Sequence, residues 1–263
     1  MRVLTLNLWG ARGRWAERRR MIADGVRALR PDLVAFQESI ETASYDQAAD
    51  LLGPEYQVVQ QADRDPDGQG ISIGSRWPVA AAWEVDLNVT PRTAGFACTT
   101  LVADVRAPDP IGRVMFVNHF PSWQLQYELE RELQAVAAAR ALEEHLSEGP
   151  VHVVVAGDMD AAPEAASMRF WTGRQSLHGM SVCYRDCWER VHPDEPGDTY
   201  TPDNPLMVDG DWPFRRIDHI LVRCGLHGGP TLAVRDCARV FDGPAGGVQP
   251  SDHYGLIADL EPR

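Results

Sequence analysis

A short β-branched run that stops at a glycine and then delivers two acids constrains this chain more than any other stretch. Val151 to Pro163 reads V-H-V-V-V-A-G-D-M-D-A-A-P. Val151, Val153, Val154, Val155 and Ala156 are too few for a helix and rich in β-branching, and Gly157 ends them, as expected of a fully buried strand. Asp158 and Asp160 follow, at the end of a strand where a sheet can hold polar groups over a rigid support. Two readings fit the pair. Both carboxylates enter one pocket and hold a cation or a water, or both are solvated in an Asx turn that leads into a helix near Pro163.

Other strands run out in the same way. Val3, Leu4, Leu6 and Leu8 make a first strand with Asn7 and Trp9 at its end. Trp15, Ile22, Val26 and Leu29 recur at helical spacing until Pro31 stops them, and Asp32 to Glu38 makes a second buried strand ending in Gln37-Glu38. This β-α-β rhythm brings like ends of neighbouring strands together. A helical stretch is expected near Ala43 to Leu52. Strands are expected over residues 56–60, 70–76, 79–87 and 94–105, with Arg92 at the base of the last. Gly112 to Phe120 alternates into Asn118-His119, and Leu125, Leu129, Leu133, Val136 and Leu142 mark a long amphipathic helix.

Five prolines between Tyr184 and Pro213 indicate a surface loop of defined shape. Asp218 stands among apolar neighbours in R-R-I-D-H-I-L-V-R, a costly place for a carboxylate without a partner. Ser251-Asp252-His253 opens a last strand reaching Leu260. Taken singly, each polar residue has an ordinary role: Asn7 closing a turn, Arg92 on the surface, His119 hydrogen-bonded in the fold.

No linker or break in composition divides the 263 residues, so one domain over 1–263 is expected. With 44% hydrophobic and 24% charged residues and no long apolar run, a soluble protein without a transmembrane segment is expected. The N-terminus reads directly as a strand rather than a secretory signal, which leaves a cytoplasmic protein as the expectation. Five cysteines without a C-x-x-C pair suggest reduced thiols. Cys183 and Cys187 share a helical spacing, but no second pair complements them as ligands. A net charge of −13 repels polyanions, so duplex DNA is not the default partner. Against that field, Arg12, Arg14, Arg18, Arg19 and Arg20 crowd together, either as a solvated helix face or as a phosphate-facing patch.

Asn7, Glu38, His119, Asp158, Asp160, Asp218, Asp252 and His253 thus all fall at strand ends or adjacent turns, and five of them are carboxylates. Such an oxygen-rich set suits Mg²⁺ or Mn²⁺ rather than zinc. The ordered motifs T-L-N-L-W at Thr5 to Trp9, Q-E at Gln37-Glu38, N-H at Asn118-His119, G-D-M-D-A-A-P at Gly157 to Pro163, R-I-D-H-I at Arg216 to Ile220 and S-D-H at Ser251 to His253 span almost the whole chain. In them the sequence resembles the endonuclease/exonuclease/phosphatase superfamily.

The resemblance implies an α/β (α+β) fold: a four-layer α/β/β/α sandwich, two packed mixed β-sheets flanked by helices, with one metal-dependent site at the top of the sheets. It implies Glu38 and Asp252 as metal ligands, with Asn7 supporting metal or phosphate, and Asp158 orienting or deprotonating water. It further implies Asp218 paired to His253, His119 across the phosphate, and Arg92 contacting it. The chemistry implied is in-line attack of water on phosphorus. Asp160 departs from the family's usual G-D-x-N, and could recruit a further cation or repel phosphate. Gln69 replaces a common glutamate. The expected activity is a Mg²⁺- or Mn²⁺-dependent phosphoester hydrolase, a phosphodiesterase or phosphatase, acting on a small or lipid-like phosphate ester. The alternatives are a nuclease gripping nucleic acid with its arginines and with loop tryptophans such as Trp171, Trp188 or Trp212, and a non-catalytic binding protein on the same scaffold.

Overall fold

The computed structural model describes residues 1–146, 151–207, 210–213, 215–244 and 246–263. In chain order its elements are β1 (Arg2–Asn7), α1 (Trp15–Leu29), β2 (Leu33–Thr42), β3 (Tyr45–Asp46), α2 (Gln47–Leu52), β4 (Gln57–Gln60), β5 (Gln69–Ser75), β6 (Val79–Asp86) and β7 (Thr99–Arg106). They continue with β8 (Arg113–Phe120), α3 (Glu128–His145), β9 (His152–Asp158), α4 (Ala166–Trp171), β10 (Tyr184–Asp186), α5 (Cys187–Val191), β11 (Asp218–Arg223), β12 (Leu232–Val240) and β13 (Gly255–Pro262). One sheet has seven strands in the order β12-β13-β1-β2-β5-β4, with β3 paired to β2; the other has six, ordered β10-β11-β9-β8-β7-β6. Both are mixed: β1 pairs parallel with β2 and β8 parallel with β9, while their other neighbours run antiparallel.

Strand alternation sorts the side chains into layers. Val3, Leu33, Ala35, Ile73, Phe116, Val154, Ala156, Ile220 and Leu256 meet between the sheets. On the outer face of the first sheet Leu4, Leu6, Val34 and Phe36 pack against Ile22 and Val26 of α1 and Leu51 of α2. On the outer face of the second, Met115, Val117, Val153 and Val155 pack against Val136 and Leu142 of α3 and Met168 of α4. This is the expected four-layer sandwich of two mixed sheets between helices.

Several boundaries differ from the sequence expectation, each for a local reason. The expected helix near Ala43 begins at Gln47, because Asp46 caps it by accepting from the Ala49 amide at 2.8 Å, and Tyr45–Asp46 pairs with β2. The final strand begins at Gly255, so Ser251-Asp252-His253 forms the turn before it. Helix α3 is rotated from its expected apolar stripe: Leu125, which precedes it, and Leu129 are 40% and 54% exposed, while Arg131 and Gln134 are buried. Those two side chains bind the connection from β8, where Arg131 donates to the Ser122 and Gln124 carbonyls and Gln134 to Ser122 Oγ, and Gln134 also donates to the Leu87 carbonyl in the connection after β6. Satisfying these carbonyls outweighs hiding two leucines. The proline-rich stretch carries β10 and α5, and its residues 208–209 lie outside the described ones. Cys183 and Cys187 diverge, the first exposed and the second buried, which removes them as a ligand pair.

Candidate active site

The inward-facing parity of the strands brings the acids together. Asn7 follows Val3 and Thr5 on the inner face of β1, Asp158 follows Val154 and Ala156 on β9, and Asp218 opens β11 directly opposite Asp158. Glu38 arrives by a different device. The β2–β5 register shifts between Phe36 and Ser39, and Glu38 itself has φ +52°, so a bulge re-aims its carboxylate at the rim of the inter-sheet cleft. Gly157 lets β9 lie against β8, since a Cβ there would stand 2.1 Å from the His119 carbonyl oxygen. Asp252 and His253 come from the turn before β13, which Ser251 ties to β1 by donating to the Asn7 carbonyl at 2.7 Å. Arg18 is 1% exposed and clamps the same two segments, donating to the Leu8, Gly10 and Pro250 carbonyls.

The hydrogen bonds hold each group in one orientation. Asn7 Nδ2 donates to Asp158 Oδ2 at 2.9 Å and lies 3.4 Å from Glu38 Oε1, while its side-chain Oδ1 accepts from the Trp9 amide at 2.9 Å. His253 Nδ1 bonds Asp218 Oδ2 at 3.0 Å, leaving Nε2 3.9 Å from Asp158 Oδ2. Tyr200 packs over the imidazole at 4.8 Å between ring centroids. The second Asp218 oxygen is buried without a partner. The Asp160 amide donates to Asp158 Oδ1 at 3.1 Å, and Asp160 takes φ +47°, a conformation that Asp tolerates.

Burial and crowding perturb these groups together. Burial, with Asp218 nearby, raises the Asp158 carboxyl to about 7 against the pull of His253. Burial and then the Asp158 charge raise Asp160 well above the carboxylate range. Asp252 rises to about 6, chiefly through burial, with Glu38 adding to it. For His253 burial acts downward, but Asp218 and Asp158 overcome it and raise the imidazole well above its ordinary value, so it is cationic at neutral pH.

Glu38, Asp158, Asp160, Asp252 and His253 line one cleft of about 380 Å³, with Asn7 and Asp218 bonded beneath them. Two expected members are elsewhere. Alternation along β8 puts Asn118 and Phe120 on the inner face and turns His119 toward the helices, where it is 2% exposed, bonds Thr100 Oγ1 at 2.7 Å and meets the Trp171 ring edge-on. Burial lowers its pKa to about 3, so it is a neutral structural imidazole rather than a cation across the phosphate. Arg92 pairs with Glu130 at 3.0 Å and stacks on Tyr127, outside the cleft lining. In their place the cleft holds Phe96, Phe120, Trp123, Tyr200, Trp212 and one arginine, Arg12. Phe120 was legible, because it shares the parity of Asn118; the loop aromatics carried no such signal.

The donor set fits a hard divalent cation. Glu38, Asp158, Asp160 and Asp252 converge with only Arg12 and His253 as cations among the described lining residues, and a buried Asp218 oxygen lacks a partner. Asp158, Asp218 and His253 each offer an atom within 4.8 Å of the others, a group able to hold a metal ion.

Residues 4–253 match the profile of the Endonuclease/Exonuclease/phosphatase family. The chain belongs to that family. Members are metal-dependent phosphoester hydrolases, so endonuclease/exonuclease/phosphatase chemistry is the frame for this cleft. The fold is similar to that of truncated TDP2 from Caenorhabditis elegans, with TM-score 0.77, 18% identity, and coverage of 99% of this chain and 96% of that one. It is also similar to D. rerio TDP2 complexed with a single-strand DNA product, with TM-score 0.75, 20% identity and coverage of 99% and 98%. A third likeness is to the endonuclease/exonuclease/phosphatase from Bacteroides vulgatus, with TM-score 0.75, 19% identity and coverage of 100% and 98%. No curated protein matches the sequence.

Proposed function

We propose that this chain, as one domain over 1–263, is a Mg²⁺- or Mn²⁺-dependent phosphoester hydrolase acting on a small or lipid-like phosphate ester. The observation that carries the reading is that two opposed tethers, Asn7 on Asp158 and Asp218 on His253, fix a carboxylate and a cationic imidazole in the same cleft. Glu38 and Asp252 would hold the cation with Asn7, and the bound ion would supply Lewis-acid neutralisation of charge developing on the phosphoryl oxygens. Asp158, aimed by Asn7, accepts the proton of the attacking water. His253, oriented and kept protonated by Asp218 at Nδ1, presents Nε2–H to a phosphoryl or leaving oxygen. Asp160 lines the same cleft, and its backbone amide steadies the other Asp158 oxygen.

The organic part of the substrate meets Phe96, Phe120, Trp123, Tyr200 and Trp212, a wall suited to a ring or an acyl chain. Nucleic acid is the second reading, supported by the product-bound D. rerio TDP2. Less favours it in this chain: net charge is −13, Arg14 pairs with Glu17, Arg19 with Asp50, and Arg18 is buried. Free cysteines accord with a reducing cytoplasm, and among the described residues no helix is long and apolar enough to cross a membrane. Purified protein assayed on aryl phosphodiesters, phosphomonoesters, lysophospholipid-like esters and single-stranded DNA should turn over one of the first three with Mg²⁺ or Mn²⁺. Preferred cleavage of DNA would make it a nuclease, and metal binding with no turnover on any of them would make it a binding protein.

A further inference from the structure

Arg12 stands alone in its position. It lies on a turn whose backbone is forced into an unusual shape, with φ +55° at Trp9, +51° at Gly10 and +62° at Gly13. That turn is fastened from beneath, because Gln47 Nε2 and the Arg18 guanidinium both donate to the Gly10 carbonyl. The backbone is therefore fixed while the Arg12 side chain, 49% exposed, projects into the cleft. Its guanidinium donates to Glu38 Oε2 at 2.5 Å and to Gln69 Oε1 at 2.9 Å.

We infer that Arg12 and the catalytic cation compete for the Glu38 carboxylate, and that the guanidinium, once displaced, takes the phosphate of the substrate. The inference rests on the hydrolase reading above and adds a residue and an order of binding to it. Three observations carry it. Arg12 and His253 are the two cationic side chains among the described residues lining the cleft, and His253 is locked to Asp218. Arg92 and His119 are held elsewhere by Glu130 and Thr100. Glu38 is the carboxylate that Arg12 occupies and is itself 21% exposed, so an arriving ion reaches it from solvent.

The hold on Arg12 is also weak by construction. A half-exposed ion pair contributes little in water, and the second acceptor, Gln69, is a neutral amide that a cation leaves without a Coulomb cost. A guanidinium fork matches phosphate oxygens in geometry and charge, so the displaced Arg12 gains a better partner than it lost. The cleft thereby keeps its rim carboxylate neutralised until the metal arrives, and offers an anion site afterwards.

The test is calorimetric titration of the intact protein with Mn²⁺ alone, then of the Mg²⁺-saturated protein with inorganic phosphate. It compares wild type, Arg12→Gln and a charge control, Arg14→Gln, from the same loop but paired to Glu17. Arg12→Gln should bind Mn²⁺ several-fold more tightly and phosphate about tenfold more weakly, the factor expected for one charge-assisted hydrogen bond. Arg14→Gln should match wild type in both. Mn²⁺ affinity unchanged or weakened in Arg12→Gln, phosphate affinity unchanged, or equal tightening in Arg14→Gln would each overturn the inference while leaving the hydrolase reading intact. Wild type that binds no Mn²⁺ would overturn both.

Discussion

His119 offers a clean thermodynamic test of which face of β8 carries it. Its imidazole is buried against Trp171, its Nδ1 is bonded to Thr100, and burial lowers its pKa from 6.5 to about 3. In the unfolded chain it titrates near its ordinary value. Below about pH 6.5 the unfolded state therefore takes up a proton that the folded state refuses, so stability falls as the pH falls. The cost is about 1.4 kcal/mol per pH unit over this window, or about 2 kcal/mol at pH 5. Other buried groups act in the opposite direction, since Asp158 and Asp252 have raised values, so the measurement must be a difference. Urea unfolding of wild type and His119→Gln at pH 7 and pH 5 isolates it. The stability advantage of wild type over the variant should shrink by about 2 kcal/mol between the two pH values. An advantage that stays constant would mean that His119 titrates normally in the folded protein, as an imidazole facing solvent or phosphate would, and the placement argued here would be wrong.

Three further outcomes follow from the site. Asp218→Asn removes the negative charge that orients His253 and keeps it protonated, so kcat should drop by roughly 10²–10⁴-fold, with the loss read by steady-state kinetics across pH. Gly157→Ala would force a methyl to within 2.1 Å of a backbone oxygen, and should cost about 3 kcal/mol or more, read as a fall in urea midpoint or loss of soluble protein. Trp123→Ala should raise KM for aryl or acyl phosphodiesters by about tenfold or less while leaving KM for a methyl ester nearly unchanged, because Trp123 is an apolar wall residue of the cleft packed beside Trp212.

Much of the fold could be read in the chain, because buried strands announce themselves as short β-branched runs and their polar ends stand out against that background. Asn7, Glu38, Asp158, Asp160, Asp218, Asp252 and His253 were all legible on those grounds, and the structure gathers them. The failures share a cause. His119 is adjacent to Asn118 in sequence, and a two-residue period sends adjacent side chains to opposite faces; the motif suggested proximity where the pleat dictates separation. Arg92 was assigned by its place before a strand, but its partners Glu130 and Tyr127 lie on or beside α3, far along the chain. Helix α3 misled in the same way, since the carbonyls that Arg131 and Gln134 satisfy belong to two loops, after β8 and after β6, whose shapes no periodicity encodes. Arg12 was visible only as one of a crowd of arginines, and it is the turn at Gly10 and Gly13 that singles it out.

The pairing of β1 with both β2 and β13 governs how the protein can be made. On a ribosome, β1 finds β2 soon after it emerges, but its other edge waits for Gly255–Pro262, about 250 residues later in the chain. Until then a row of backbone amides and carbonyls beside Arg2 to Thr5 stays open to pairing with other chains. Asp252 and His253 arrive with that same later segment, so completion of the cleft and closure of the open β1 edge should occur together.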